Sequence, residues 1–152
     1  MRNIYTKSMA YAKIQGSSEY PNLHGYVTFK QKNNGIVVIA EVFGLPYKEC
    51  TEEIFGFHIH EGTSCTGNLE DEFADTKSHY NKESCTHPYH TGDMPPLFAT
   101  NKGYAYMSFF TNKFTLNDII GKTIVIHSNP DDFKTQPSGN SGTKIACGVI
   151  MY

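Results

Sequence analysis

The chain has 152 residues, which is the size of one ordinary domain and is long enough to bury a hydrophobic core. Its net charge is −2 with the histidines neutral, so there is no basic field to favour nucleic acid or an anionic membrane. No stretch approaches the ~18 apolar residues of a membrane span. We therefore expect neither a nucleic-acid partner nor a membrane partner.

The first residues do not resemble a secretory leader. The segment 1–14 carries charges at Arg2, Lys7 and Lys13 and has no apolar stretch. This predicts a cytoplasmic protein, unless a leader has been removed, in which case the protein is extracellular or periplasmic.

Short strand-like runs separated by turn residues dominate the chain. In chain order, strands are predicted at 9–14, 25–31, 36–43, 54–61, 103–110, 122–127 and 144–151, with one helical turn at 116–120. Two long polar segments, 62–94 and 128–143, have no clear period and begin or end beside histidines, which favours functional loops. The pattern predicts a single all-β domain over residues 1–152, an antiparallel Greek-key β-barrel or sandwich.

Two histidines alternate along the fourth predicted strand. His58 and His60 are separated by one residue, so both side chains point to the same face of the strand. Two imidazoles on one rigid face make a metal clamp. The pair alone is a weak signal, because two surface histidines on an exposed strand give the same pattern.

A denser group of potential ligands follows in the first long loop. Three histidines and one aspartate occur within fifteen positions: His79, His87, His90 and Asp93. Three imidazoles and one carboxylate make a complete tetrahedral zinc set. On spacing alone, a histidine-rich polar loop without a metal remains an alternative.

Two further residues flank the start of the second long loop. His127 ends an apolar strand, a position that a half-buried structural histidine also occupies. Asp131 follows four residues later, where a carboxylate can accept the second N–H of metal-bound imidazoles, although it also fits a plain turn.

Together these residues resemble the copper/zinc superoxide dismutase family. The resemblance runs from about Met9 to Ile150, and five segments carry it most strongly: Gly56–Glu61, His79–Asn81, His90–Asp93, Gly121–His127 and Gly139–Ile150. The short gap between Gly62 and Cys65 and the compact final loop are more similar to bacterial members than to animal ones. The fold that the resemblance implies is an eight-stranded antiparallel Greek-key β-barrel, an immunoglobulin-like arrangement.

The resemblance also implies a role for each site residue. The implied copper ligands are His58, His60, His79 and His127. The implied zinc ligands are His79, His87, His90 and Asp93, with His79 bridging the two ions. Asp131 is similar to the carboxylate that links a copper ligand to a zinc ligand, and Cys65 and Cys147 are similar to the disulfide pair of the family.

The implied activity is the disproportionation of superoxide to dioxygen and hydrogen peroxide by Cu(II)/Cu(I) cycling, with zinc in a structural role. One superoxide reduces Cu(II), and a second reoxidises Cu(I) and takes up protons, one of them from His79. The substrate is the superoxide anion, and the chain is expected to be a monomer or a homodimer.

Other functions compete with this one. A copper/zinc-binding or copper-delivery module on the same barrel has little or no turnover, but the presence of all four copper ligands favours the enzyme. A domain that binds only zinc does not account for the three additional histidines, His58, His60 and His127. A zinc hydrolase needs an open coordination position, which the closed three-histidine, one-aspartate set does not leave.

Lys144 and two extra cysteines depart from the family pattern. The family typically has an arginine at the Lys144 position, whose planar fork can hold an anion by two hydrogen bonds, whereas lysine offers a point charge. We expect Lys144 to reach the copper mouth and guide superoxide as a catalytic residue, together with His79. Cys50 and Cys85 are expected to be free or bonded to partners other than each other.

Overall fold

The computed structural model describes residues 7–152 of the chain. Residues 1–6 lie outside the described part, and with them Arg2 of the leader prediction and the start of the predicted domain range 1–152. No helix among the described residues is long and apolar enough to cross a membrane.

Nine strands, one short α-helix and one 3₁₀ helix form within the described residues. The strands are β1 (Met9–Gly16), β2 (His24–Lys32), β3 (Gly35–Phe43), β4 (Ile54–Phe55), β5 (Phe57–His60), β6 (Leu97–Phe98), β7 (Ala105–Thr111), β8 (Thr123–His127) and β9 (Lys144–Met151). The α-helix α1 spans Leu116–Ile119, and the 3₁₀ helix spans Ala74–Thr76.

Seven of these strands form one antiparallel sheet that curls into a half-barrel, in the order β5-β8-β9-β1-β2-β3-β7. The neighbours β9 and β1, and β3 and β7, are not consecutive in the chain, so the connections cross over as a Greek key requires. The remaining strands, β4 and β6, form a separate two-stranded ladder. The all-β antiparallel prediction is confirmed.

The core follows from the alternation of apolar residues along the strands. In β1, β2 and β3 every second side chain is fully buried, and these residues are Ala10, Ala12, Ile14, Val27, Phe29, Ile36, Val38, Ala40 and Val42. Burying one large apolar side chain contributes about 1.5–3 kcal/mol, so this inner face drives the sheet to close on itself. Asn33 takes a left-handed conformation (φ 52°) in the hairpin turn between β2 and β3, which asparagine tolerates well.

The predicted strand 54–61 differs from the structure because it breaks at Gly56. The Gly56 N–H donates to the carbonyl of Asn129 and its own carbonyl accepts from the N–H of His127, both at 2.8 Å. A Cβ at this position would lie 2.8 Å from Ser141 Oγ, so the close approach requires glycine. As a result β4 pairs with β6, a short strand that the sequence did not predict, while β5 pairs with β8.

Candidate metal centre

Loop residues cover the open edge of β5 and so reach its two histidines. β8 pairs with one side of β5, and the other side forms isolated bridges from His58 to Asp93 and from His60 to His79. Ile59, which lies between the two histidines, exchanges backbone hydrogen bonds of 2.8 and 2.9 Å with the same loop. The edge of the sheet therefore positions loop-borne and strand-borne ligands side by side.

Four buried histidines form the first group, named the four-histidine cluster: His58, His60, His79 and His127. One ring nitrogen from each lies within 4.8 Å of the others. Three of the rings donate their second N–H to fixed oxygens. His58 Nε2 donates to Asp131 Oδ2 (2.8 Å), and His60 Nδ1 donates to the carbonyl of Lys77 (2.8 Å). His127 Nδ1 lies 3.5 Å from the carbonyl of Gly142.

These hydrogen bonds aim nitrogen lone pairs at one another. His60 Nε2 and His127 Nε2 are 3.2 Å apart, and neither carries a proton, because the other nitrogen of each ring is the donor. His58 Nδ1 and His79 Nε2 are buried and have no hydrogen-bond partner among the described residues. Converging lone pairs repel unless a cation lies between them, so this set fits a metal with four nitrogen ligands.

The second group, named the Asp93 cluster, contains three nitrogens and a carboxylate: His79, His87, His90 and Asp93. His79 Nδ1 lies 2.8 Å from Asp93 Oδ1. His87 Nδ1 lies 3.0 Å from Asp93 Oδ2 without the alignment of a hydrogen bond, and His90 Nδ1 lies 3.4 Å from the same oxygen. This donor set suits tetrahedral zinc. His79 belongs to both clusters, with Nε2 facing one and Nδ1 facing the other.

Two side chains of the final loop hold the ligand rings in place. Asp131 joins the clusters, because its Oδ2 accepts from His58 Nε2 and its Oδ1 accepts from His87 Nε2, both at 2.8 Å. Gln136 clamps the backbone of His87, donating to its carbonyl (2.7 Å) and accepting from its N–H (2.9 Å). The sequence marked Asp131 but not Gln136, since nothing in the chain near Gln136 signals a contact 49 residues away.

The protonation states favour metal binding. Burial lowers the pKa of His58 to about 4 and lowers the pKa values of His60 and His127 well below their ordinary value. Burial opposes ionisation of Asp131, but hydrogen bonds from His58 and His87 outweigh it and lower the pKa of this carboxyl. Neutral imidazoles and an ionised carboxylate are the forms that coordinate a metal or orient its ligands.

Two neighbouring clefts flank Lys144. The metal cleft, of about 400 Å³, opens onto the four-histidine cluster and is lined in part by His60, Lys77, His79, His127 and Lys144. The acidic cleft, of about 570 Å³, shares Gly142 and Lys144 with it and is lined in part by Glu19, Glu70, Asp71 and Glu72. The acidic cleft is the larger of the two. However, within residues 7–152 none of its carboxylates belongs to either metal-ligand cluster.

Lys144 begins β9 and lies at the wall of the metal cleft, but its ammonium is engaged elsewhere. Lys144 Nζ donates to Asp71 Oδ2 (3.0 Å) and to the carbonyl of Phe73 (3.2 Å). The sequence placed a cation at this position and gave no signal for Asp71, which is 73 residues away in the chain.

The cysteines divide as expected. Cys65 and Cys147 form a disulfide with a Cα–Cα distance of 5.8 Å, which ties the start of the first loop to β9. Cys50 and Cys85 are free and exposed.

The model of the family described as "Copper/zinc superoxide dismutase (SODC)" matches residues 23–150. The chain belongs to this family. Superoxide dismutase [Cu-Zn] 2 of Aquifex aeolicus is 33% identical, over 90% of this chain and 86% of that protein. Superoxide dismutase [Cu-Zn] of Legionella pneumophila is 33% identical, over 91% of this chain and 85% of that protein. Both relatives are bacterial, as the sequence resemblance indicated.

A solved structure is similar over nearly the whole length of the chain. The crystal structure of the clock protein EA4 superposes with a TM-score of 0.79 at 28% sequence identity, and the match covers 99% of each chain. The similarity therefore extends to the two long loops as well as the sheet. Membership of the copper/zinc superoxide dismutase family agrees with the chemistry of the two clusters, which together can hold the two metals for which the family is named.

Proposed function

We propose that the chain is a superoxide dismutase in which the four-histidine cluster holds copper and the Asp93 cluster holds zinc. The observation that carries this proposal is the pair of buried donor sets that share His79. A single metal needs only one of these sets. Two adjacent sets joined by one imidazole support a site for two different ions.

Copper supplies the one-electron redox chemistry when it is bound, and zinc is redox-inert and structural. The residues of the chain supply the geometry. β5 and β8 carry His58, His60 and His127, so strand pairing fixes three of the four copper ligands before a metal arrives. The zinc ligands all come from the first loop, which Asp131 and Gln136 hold against the sheet.

His79 can serve as the proton carrier of the reaction. His79 is one of the residues that line the metal cleft, and its Nε2 has no protein partner among the described residues, so this atom is available to take up and release a proton. Its Nδ1 faces Asp93, which keeps the ring oriented whether or not Nε2 is protonated.

Lys144 contributes positive potential at the wall of the metal cleft. Superoxide carries one negative charge, so a cation beside the cleft favours its arrival. Lysine offers a point charge where arginine offers two parallel hydrogen bonds, so we expect Lys144→Arg to raise the rate a few-fold and Lys144→Ala to lower it about tenfold. Pulse radiolysis of the three proteins at low and high salt measures these rates, and equal rates would remove Lys144 from substrate guidance.

We further propose that residues 1–152 form one domain that acts as a monomer or a homodimer, without a nucleic-acid or membrane partner. The net charge of −2 supports the absence of a nucleic-acid partner. Size-exclusion chromatography with light scattering measures the oligomeric state.

Metal analysis and turnover together test the proposed function. The protein loaded with both metals should contain one copper and one zinc per chain and should consume superoxide catalytically. A protein that binds only zinc contradicts the proposal. A protein that binds copper stably without turnover supports the alternative, a copper-binding or copper-delivery module.

A further inference from the structure

The contacts of Lys144 define the starting point. An ammonium has three N–H donors. In Lys144 two of them are directed at Asp71 Oδ2 (3.0 Å) and the Phe73 carbonyl (3.2 Å). The Lys144 side chain is 16% exposed, so it lies against the protein rather than extending into solvent. At most one donor remains for an anion in the metal cleft.

Asp71 is held firmly enough to act as an anchor. Its Oδ1 accepts from the Phe73 N–H (2.9 Å), which leaves Oδ2 for Lys144. Its backbone N–H donates to Asn68 Oδ1 (3.0 Å), and its carbonyl accepts from the N–H groups of Asn68 and Ala74. The Asp71 carboxylate is therefore fixed in position, and the Lys144 side chain takes the conformation that reaches it.

The disulfide fixes the same segment to the same strand. Cys65 lies six residues before Asp71, and its partner Cys147 lies three residues after Lys144. The Asp71–Lys144 ion pair and the disulfide thus join the first loop to β9 at two nearby points. Neither Asp71 nor Phe73 is a ligand in either metal cluster.

An ion pair attracts a distant anion less than an isolated cation does, because the potentials of its two charges partly cancel. The carboxylate oxygen lies 3.0 Å from the ammonium nitrogen, so the two potentials cancel strongly at the four-histidine cluster, and the ammonium is held from turning toward an anion there. We propose that Asp71 is a positioning residue that fixes the Lys144 ammonium at the wall of the metal cleft and weakens its attraction for small anions. This inference rests on the proposed function, in which superoxide is the anion that enters the cleft.

Glu70 offers a matched control for the effect of charge alone. It is the neighbouring residue, it is exposed, and it lines the same acidic cleft as Asp71. Within residues 7–152 its carboxylate makes no ion pair with Lys144, whose partners are Asp71 and Phe73. Glu70→Gln and Asp71→Asn each remove one negative charge from the cleft, but only the second releases Lys144.

The test uses azide as the probe anion, because it is small and carries the same charge as superoxide. Copper- and zinc-loaded protein is titrated with azide, and binding is followed by the change in the optical spectrum of the copper site. At low ionic strength Asp71→Asn should tighten azide binding by about threefold, and the gain should shrink at about 0.15 M salt. Glu70→Gln should change the free energy of azide binding by less than half as much as Asp71→Asn does.

A double variant separates release of Lys144 from direct repulsion by Asp71. Lys144→Met should weaken azide binding. In that background Asp71→Asn should bring a smaller gain than in the parent, because only the direct repulsion by the Asp71 carboxylate is then removed. If Asp71→Asn and Glu70→Gln have equal effects, or if the gain from Asp71→Asn is as large without Lys144 as with it, the inference is wrong. Asp71→Ser, whose hydroxyl can accept from the Phe73 N–H, provides a second neutral variant should Asp71→Asn fail to load both metals, and the same inequalities apply to it.

The azide titration needs no turnover, so the two proposals fail separately. A parent protein that binds copper and azide but does not consume superoxide contradicts the proposed function alone. A parent protein that turns over normally, with azide affinities unchanged by Asp71→Asn, contradicts the inference about Asp71 alone.

Discussion

Replacement of Asp131 by alanine removes a carboxylate that accepts a hydrogen bond from one histidine of each metal cluster. In the parent protein each carboxylate oxygen accepts a hydrogen bond of 2.8 Å, one from His58 and one from His87. The two histidines differ in their other supports. His58 is in β5, which pairs with β8 along its whole length, whereas His87 is in the first loop. We therefore expect Asp131→Ala to disturb the zinc cluster more than the copper cluster.

The magnitude follows from the hydrogen bond that His87 loses. A hydrogen bond to a charged group contributes about 1.5–3 kcal/mol, and this one is buried, with the side chains of His87 and Asp131 no more than 1% exposed. Because about 1.4 kcal/mol corresponds to tenfold in affinity, zinc affinity should fall about 10- to 100-fold. Copper affinity should fall by less, since strand pairing still orients His58.

Competition with a chromophoric chelator measures both affinities. Asp132→Ala is the matched control, because Asp132 is adjacent and exposed, and within the described part of the chain its carboxylate accepts only from Lys134 and Thr135. This control should leave zinc affinity within about twofold of the parent. The reasoning is refuted if the two variants lose zinc equally, or if Asp131→Ala loses copper more than zinc.

Three other perturbations have defined outcomes. His79→Ala should change both the copper spectrum and zinc affinity, whereas His87→Ala should change mainly zinc affinity, and identical copper spectra for the two variants would show that His79 is not shared. Cys65→Ser should lower the free energy of unfolding, measured in urea titrations, by about 4–5 kcal/mol, because it removes the bond to Cys147 across a sequence separation of 82. As a control, a reductant should destabilise the parent protein but not the variant. Lys77→Gly should raise the free energy of unfolding by about 1 kcal/mol, because Lys77 has a left-handed backbone (φ 60°, ψ −146°) that glycine adopts without strain; a lower value would contradict this.

Much of the fold could be predicted from local pattern. The alternation of buried and exposed residues fixes the inner face of β1 to β3, because side chains on a strand have a period of two. The predicted strand 144–151 coincides with β9. The same period places His58 and His60 on one face of the fourth predicted strand. The break at Gly56 was missed, because it depends on contacts with Asn129 and Ser141 in a distant loop.

The candidate ligand sets also came from the sequence, by resemblance to a family whose spacing the chain shares. The resemblance implied that His79 of the first loop meets the histidines of the strands, but the spacing of the residues by itself left this open. The structure brings the two sets together through backbone hydrogen bonds on the free edge of β5. No periodic pattern reports such a contact, because it depends on how an irregular loop returns to the sheet.

The sequence by itself determined the all-β class, the buried face of each long strand and the residue types available for two metals. Only the tertiary structure decided which side chains hold the metal ligands in place. Asp131 contacts residues 73 and 44 positions away, and Gln136 contacts a residue 49 positions away. Asp71 and Lys144 are 73 positions apart. The sequence specifies local geometry through backbone sterics and the spacing of apolar residues. Contacts between residues so far apart in the chain form only after the sheet has closed and the loops have packed across it.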